Sequence, residues 1–402
     1  MNVYVRDLSR ELARRGIIVD IFTRSQNPHV ARVCPNDLGD GATVFHILAG
    51  PEEPYYNKNL IFDHLPEFVQ EVRKRAVDLA RHNDVIHSHY WLSGLAAQEL
   101  RRTWDVPFAQ MFHTLGHLKN QVAQRPEERE SERRIAGEGE IMRSADRLVA
   151  ASPLEKAQMA ALYGADACKM EVIPPGVDLE LFYPRDSEDA KERLGLCPQQ
   201  HVVLFVGRIE PLKGIDTLLR AMAEATRQIP RWREELCVAV IGGDASVPPE
   251  ALDAEMARLH VLRSDLGIED LVTFLGARSQ DALPDYYSAA DVVVMPSHYE
   301  SFGLVALEAM ACGTPVIASR VGGLKYTVLH GVTGLHVSER DPMALAREII
   351  RLILDQELRE RLGRQARQVA QCYAWPSIAD RIVRVYEDIK QENGASHMPR
   401  QY

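Results

Sequence analysis

Short apolar runs alternate with longer amphipathic stretches along almost the whole chain. In the first half the runs fall at residues 17–23, 43–48, 85–88, 108–112, 147–150 and 170–173, and in the second at 202–206, 237–241, 272–275, 292–295 and 315–318. Their length and β-branched content suit strands buried on both faces. Helical patterns lie between them, notably 66–81, 126–144 and the charged stretch 342–371, with a last helix over 376–392. Regular alternation of this kind predicts parallel sheets built from βαβ units. The expected fold class is α/β, with two Rossmann-like doubly wound domains facing a cleft. The first domain is expected over 1–183 and the second over 201–375. The polar, proline-punctuated stretch 184–200 reads as a linker, and 393–402 as a disordered tail.

One departure stands at the start. The chain opens on an amphipathic helix, with Val3, Val5, Leu8, Leu12 and Ala13 on one side. In a doubly wound domain a strand precedes the first helix and lies mid-sheet, where the strand order reverses. The natural first strand is therefore expected to be missing. Two neighbouring strands would then keep unpaired backbone groups, each costing about 1–3 kcal/mol.

Composition narrows the function classes. At 402 residues, with 46% apolar and 26% charged residues, the chain has material for two ordinary cores. A net charge of −10 argues against a nucleic-acid partner. Cys34, Cys168, Cys197, Cys237, Cys312 and Cys372 are scattered with no C-x-x-C pair, which reads as reduced thiols in a cytoplasmic protein. No apolar run approaches the ~18 residues of a membrane span, and no signal peptide is visible.

The most informative stretch is 300–308, Glu-Ser-Phe-Gly-Leu-Val-Ala-Leu-Glu, between an apolar strand and a helix. Glu300 and Glu308 are expected about two helical turns apart on roughly one face. Between them Phe302, Gly303 and Leu304 offer backbone N–H groups at a helix start, where a phosphate binds. Hydroxyl-binding carboxylates beside an anion cradle suit a nucleotide-sugar. A second group follows the strand at 202–206: Gly207, Arg208 and Lys213. Two cations beyond a strand end are placed to neutralise a diphosphate. Alone they would read as ordinary surface charges; beside Glu300 and Glu308 the site reading is preferred. Gly242-Gly243 ends another strand and would let backbone approach the nucleotide, a weak signal.

In the first half, His87, His89, Tyr90, His113, Thr114 and His117 cluster after two apolar strands. No third ligand has zinc spacing, so no metal site is expected. His87 reads as a core histidine and His113 as a site residue. Lys58 and Arg134 are candidates for an acceptor phosphate, although the run 127–134 by itself reads as a solvated helix face. No Asp-x-Asp pair is present. Protein cations and the helix dipole, not a metal cofactor, are expected to stabilise the diphosphate.

These residues resemble family 4 retaining glycosyltransferases of GT-B architecture over essentially the whole chain. The resemblance is carried by Gly207-Arg208-x4-Lys213-Gly214, the Glu300-x7-Glu308 element and Pro174-Pro-Gly-Val-Asp178. Met1-Asn-Val-Tyr-Val, His87-Ser-His-Tyr-Trp-Leu-Ser-Gly94 and His113-Thr-Leu-x3-Lys119-Asn120 are similar to the D-inositol-3-phosphate glycosyltransferases. Ala49-Gly-Pro51 through Lys58, with Leu65-Pro66 and Phe68, also looks like sucrose-phosphate synthases.

The resemblance implies that Arg208 and Lys213 bind the donor diphosphate and that Glu300 meets the donor sugar hydroxyls. Phe302, Gly303 and Leu304 would meet sugar and phosphate through their backbone, Glu308 the ribose, and His113 would lie beside the reacting centre. Asn2, Lys58, Tyr90, Thr114 and Arg134 match acceptor positions. It also implies that the last helix completes the first domain.

The expected function is transfer of a hexose, GlcNAc or glucose, from a UDP-sugar to a phosphorylated polyol or sugar such as inositol 3-phosphate. Fructose 6-phosphate as acceptor and a non-catalytic nucleotide-sugar binder are the alternatives. A homodimer is admitted. An NAD-dependent dehydrogenase would want Gly-x-Gly-x-x-Gly after a strand, and none is present.

Overall fold

The computed structural model describes residues 1–53, 58–79, 82–243 and 254–396, and the side chains at 58, 59, 127 and 394–396 lie outside the described set. The chain divides into two compact units, Met1–Gly176 with Trp375–Tyr402, and Val177–Ala374.

In the first unit, β1 (Val19–Arg24), β2 (Val33–Pro35) and β3 (Ala42–Ile47) form a sheet in the order β1-β3-β2. β3 runs parallel to β1 and antiparallel to β2. A second, all-parallel sheet holds β4 (Ile86–His89), β5 (Phe108–Met111), β6 (Arg147–Ala150) and β7 (Met170–Val172) in that order. β5 is buried at every position, including the polar Gln110, whose amide is hydrogen-bonded. Both sheets share one apolar cluster. Phe22, Phe45 and Ile47 meet Ile86 beneath Val69 and Val72 of the helix Leu65–Leu79 and Ala96 and Leu100 of the helix Trp91–Trp104. Among the described residues, β1 and β4 each pair with a strand on one side only.

The first helix, Asn2–Arg14, buries Tyr4, Leu8 and Leu12, so its inner face is centred on Tyr4 instead of Val3 and Val5. It packs against the last helix, Trp375–Ser396, which belongs to this unit. Arg15 Nη2 donates to the Pro376 carbonyl at 2.7 Å and to Asp380 at 2.9 Å, and the Tyr386 hydroxyl sits 2.7 Å from His87 Nδ1. Helix runs through 393–396, part of the stretch expected as a tail, and 397–402 lie outside the described residues.

The second unit is one six-stranded parallel sheet of β8 (His201–Val206), β9 (Leu236–Ile241), β10 (Val272–Gly276), β11 (Val292–Met295), β12 (Val316–Ser319) and β13 (Gly334–Val337). Its order is β10-β9-β8-β11-β12-β13, a doubly wound arrangement that reverses between β8 and β11. The stretch 184–200 carries a helix, Ser187–Arg193, which packs on the helix Leu283–Ala289 within this unit.

Two helix expectations need correction. The pattern over 126–144 is a 3-10 turn, Pro126–Glu128, followed by the helix Glu132–Ser144. The Ser131 hydroxyl caps that helix by accepting from the Arg134 N–H. The charged stretch 342–371 is two helices, Pro342–Leu354 and Gln356–Ala370, because the Asp355 carboxylate accepts from the Leu358 N–H and starts a new helix. β2 and β13 were absent from the expected strands. The first is three residues long and holds a proline; the second opens on glycine.

Candidate active site

In the second unit the strand-order reversal brings the turns after β8 and β11 together, the usual place for a ligand in such sheets. The His298 N–H, beyond β11, donates to the Leu212 carbonyl, beyond β8, at 2.8 Å. Lys213 Nζ donates to Glu300 Oε2 at 2.6 Å, and both side chains are mostly enclosed. Glu300 is held from behind: the Gly323 N–H donates to its carbonyl at 2.9 Å, and a Cβ at Gly322 would stand 1.9 Å from that same oxygen. Only glycine permits so close an approach.

Arg208 is different. It follows Gly207 beyond β8 but is 74% exposed and pairs with Glu210 at 2.6 Å. An exposed pair of this kind is weak, so the guanidinium is easily released to another anion. Gly242 follows β9, and its N–H donates to the Gly276 carbonyl at 3.1 Å.

The expectation that Glu300 and Glu308 share a helix face is corrected. The helix is Leu304–Ala311, its N-cap Gly303 has φ 97°, and Glu300 lies in the preceding loop. A left-handed residue interrupts any helix begun upstream. Glu308 is buried on the helix and accepts from the Tyr287 hydroxyl at 2.7 Å. Burial, then the charge of Glu308, pushes that tyrosine's pKa well above its ordinary value. Phe302 is also buried, with its carbonyl accepting from Thr327 at 2.6 Å. In the first turn of the Leu304–Ala311 helix the Ala306 N–H donates to the Gly303 carbonyl at 3.0 Å, so the N–H groups an anion would meet there are those of Leu304 and Val305.

In the first unit two strand ends carry strained backbone. Tyr90, after β4, has φ 76°, and His113, shortly after β5, has φ 62°. A side-chain-bearing residue in the left-handed region costs roughly 1–2 kcal/mol, and such strain concentrates at functional sites. The buried Gln110 amide donates to the carbonyls of Tyr90, at 3.2 Å, and Met111, at 3.0 Å, and its oxygen accepts from Ser88 at 2.6 Å. These bonds hold the turn in place. His89 Nδ1 and His113 Nε2 are 3.1 Å apart, with the Tyr4 ring edge-on to both. Desolvation lowers His87 to about 4 and holds His89 and His113 well below the usual histidine value. All three rings are therefore neutral near pH 7, and His113 offers a hydrogen bond without a charge.

Beside them Tyr90, Thr114 and Arg134 come together. Arg134 is 1% exposed. Its Nε donates to Glu138 at 2.7 Å. Nη1 meets the Tyr90 hydroxyl at 3.2 Å and Glu130 at 3.1 Å, and Nη2 meets the Thr114 carbonyl at 2.8 Å and hydroxyl at 3.0 Å. Four of these contacts are donated hydrogen bonds, and the Glu130 carboxylate is an ion-pair partner beside Nη1. Burial pulls its pKa down, but Glu138, Tyr90 and Glu130 outweigh burial and hold it above the ordinary value. Asn2 is exposed at the first position of its helix, two residues before Tyr4. Lys58 opens the short helix Lys58–Ile61, but its side chain lies outside the described residues.

Sequence reasoning missed the two carboxylates of this cluster. Glu138, fully buried, also accepts from the Gly116 N–H at 2.9 Å and from the Tyr163 hydroxyl, while Glu130 accepts from Lys119 Nζ at 2.5 Å. The spacing Glu130-x3-Arg134-x3-Glu138 was the available signal. Among the described residues no group of three or more His, Cys, Asp and Glu side chains is arranged to hold a metal ion, and no helix is long and apolar enough to cross a membrane.

Residues 186–369 match the family described as glycosyl transferases group 1, and residues 1–181 match glycosyltransferase family 4. D-inositol 3-phosphate glycosyltransferase of Frankia alni is 44% identical over 387 residues, covering 96% of this chain and 93% of that protein. The protein of the same name from Thermomonospora curvata is 40% identical over 410 residues, covering 100% and 94%. The solved sucrose-phosphate synthase of Thermosynechococcus elongatus is similar at TM-score 0.87 and 36% identity, covering 97% of this chain and 94% of that one.

Proposed function

We propose that this chain, which belongs to the group 1 and family 4 glycosyltransferases and is a hexosyltransferase with two Rossmann-like units of GT-B class, moves a hexose from a UDP-sugar to a phosphorylated polyol, inositol 3-phosphate foremost. The observation that carries the donor half is the Lys213–Glu300 pair at the strand-order reversal of the second unit, beside an open helix start. Lys213 and Arg208 take the diphosphate, the helix start adds its N–H groups, and Glu300 turns from Lys213 to the sugar hydroxyls. Glu308 takes the ribose hydroxyls while Tyr287 supports it from behind.

The acceptor half rests on the Tyr90–Thr114–Arg134 cluster and on the relatives named for inositol 3-phosphate. Those groups hold the phosphate. His113, neutral and strained into position, hydrogen-bonds beside the reacting carbon. In this reading transfer retains the anomeric configuration by front-face attack: the acceptor oxygen forms the new glycosidic bond as the sugar–phosphate bond breaks. The acceptor proton passes to the departing UDP oxygen, and Lys213 and Arg208 stabilise the charge developing there. The reading assigns no metal to this step.

The likeness to sucrose-phosphate synthase favours a second reading, glucose transfer to fructose 6-phosphate. A donor-by-acceptor screen reading UDP release decides between them, with inositol 3-phosphate, free myo-inositol and fructose 6-phosphate offered in parallel, with and without EDTA. Release with inositol 3-phosphate alone, unchanged by EDTA, is the expected result. NMR of the product's anomeric proton tests retention. Absence of sugar-dependent UDP release with every acceptor would leave only a nucleotide-sugar binder.

A further inference from the structure

We infer that the Glu130 carboxylate occupies the place of the acceptor phosphate in the free protein, and that phosphate binds by displacing it. The inference rests on the acceptor reading above. Before any ligand arrives, the cluster holds, among the described residues, two cations, Arg134 and Lys119, and two carboxylates, Glu130 and Glu138. A phosphate dianion added to this set would stand beside carboxylates that are 5% and 0% exposed, where like charges repel strongly. Arg134 Nε, Nη1 and Nη2 each already meet an acceptor, and the Glu130 carboxylate stands beside Nη1. For phosphate to gain that side of the guanidinium, Glu130 has to move aside.

The two carboxylates are not equally free to go. Glu138 lies within the helix Glu132–Ser144. It receives Arg134 Nε at 2.7 Å, the Gly116 N–H at 2.9 Å and the Tyr163 hydroxyl, which in turn accepts from the His117 N–H at 3.1 Å. Removing it would strip donors from three elements at once. Glu130 precedes the Ser131 cap and lies outside any helix. Its backbone is pinned by Asn120, whose side chain accepts from the Glu130 N–H at 2.6 Å and donates to the Glu130 carbonyl at 3.1 Å. Its carboxylate can pivot without moving the chain. Oε1 bridges Lys119 Nζ at 2.5 Å and Arg134 Nη1 at 3.1 Å. An oxygen shared by two cations is where a phosphate oxygen would sit, and Lys119 is 20% exposed.

Acceptor selectivity follows. A neutral polyol cannot compete with Glu130 for the two cations, whereas a phosphate dianion can. Glu130 thus sets a threshold of charge that an acceptor must meet.

The probe is inorganic phosphate, measured as a competitive inhibitor against the acceptor in the full-length enzyme, with melting temperature recorded for every variant. Glu130→Gln keeps the side chain's shape and removes its charge. It is expected to lower the phosphate inhibition constant and the acceptor KM by about tenfold or more, with donor KM unchanged. Glu138→Gln is expected to move both in the opposite direction, because Glu138 is a positioning residue for Arg134. If Glu130→Gln does not fold, Glu130→Asp, whose shorter arm loosens the bridge, is read for the same direction. Phosphate inhibition unchanged or weakened in a folded Glu130 variant overturns the inference while the acceptor reading stands. A wild-type enzyme that ignores phosphate and uses the free polyol equally well overturns the acceptor reading itself.

Discussion

Lys213→Ala is expected to abolish most turnover while leaving a folded protein. In the free protein Nζ lies 2.6 Å from Glu300, with the two side chains 19% and 17% exposed. The substitution therefore acts twice. It removes a cation from the departing diphosphate, and losing one charged donor at a developing oxyanion costs about 2.7–4 kcal/mol, or roughly 10²–10³ in kcat. It also leaves the Glu300 carboxylate partly buried without its lysine, about 1–3 kcal/mol of stability. The two effects separate by assay. UDP release at saturating donor and acceptor reads the first, and the melting temperature reads the second. In the double variant Lys213→Ala, Glu300→Ala, the stability loss should shrink because no carboxylate remains unpaired, while turnover stays low. Arg208→Ala should lower turnover severely with no change in melting temperature, since its exposed pair with Glu210 is worth at most ~1 kcal/mol. A Lys213→Ala enzyme with kcat within about threefold of wild type would refute the donor-site assignment.

Arg134→Ala should erase the preference for phosphorylated over free acceptor, measured as the ratio of their kcat/KM values, and should destabilise the first unit by about 3–5 kcal/mol because Glu130 and Glu138 lose their buried partner. Stability should fall as pH drops from 6.5 toward 4. The enclosed His87 titrates near 4, and His89 and His113 are shifted the same way, so the unfolded chain binds more protons in that window. His87 alone is worth about 3 kcal/mol there. Buried Glu155, raised to about 7, works in the opposite sense between 4.5 and 7 and offsets one histidine but not three. A melting temperature flat from pH 7 to pH 4.5 would contradict this. Gly242→Ala should cost several kcal/mol more than Gly267→Ala. Both glycines have positive φ, about 1–2 kcal/mol of strain for alanine. Only at Gly242 would the new Cβ lie 1.8 Å from the Gly207 carbonyl, and at Gly267 nothing lies within 4 Å. Equal melting temperatures for the two variants would refute the clash.

The local pattern of the chain determined most of its strands. The run 292–295 is apolar at successive positions because both faces of a parallel strand are covered, and that requirement is written residue by residue. Lys213 and Glu300 were legible as candidate site residues for a related reason, since each follows a buried strand and ligands gather beyond such ends. What the chain could not announce was which surface would be covered. The run 127–134, with Glu130 and Arg134 in it, read by itself as a solvated helix face, and only packing against Tyr90, Thr114, Gly116 and Tyr163 turned Arg134 and its carboxylates into a buried cluster. Glu308 was read as a carboxylate for ligand hydroxyls, but nothing in its own segment signalled the Tyr287 hydroxyl that the fold places against it. Glu300 is separated from the helix by a loop that ends on Gly303 at φ 97°, while Gly322 and Gly323 approach the chain at 300–301 closely. Periodicity records how a side chain faces its own element. Its partner across space, and hence whether its charge is solvated, paired or poised for displacement, is decided by contacts distant in sequence.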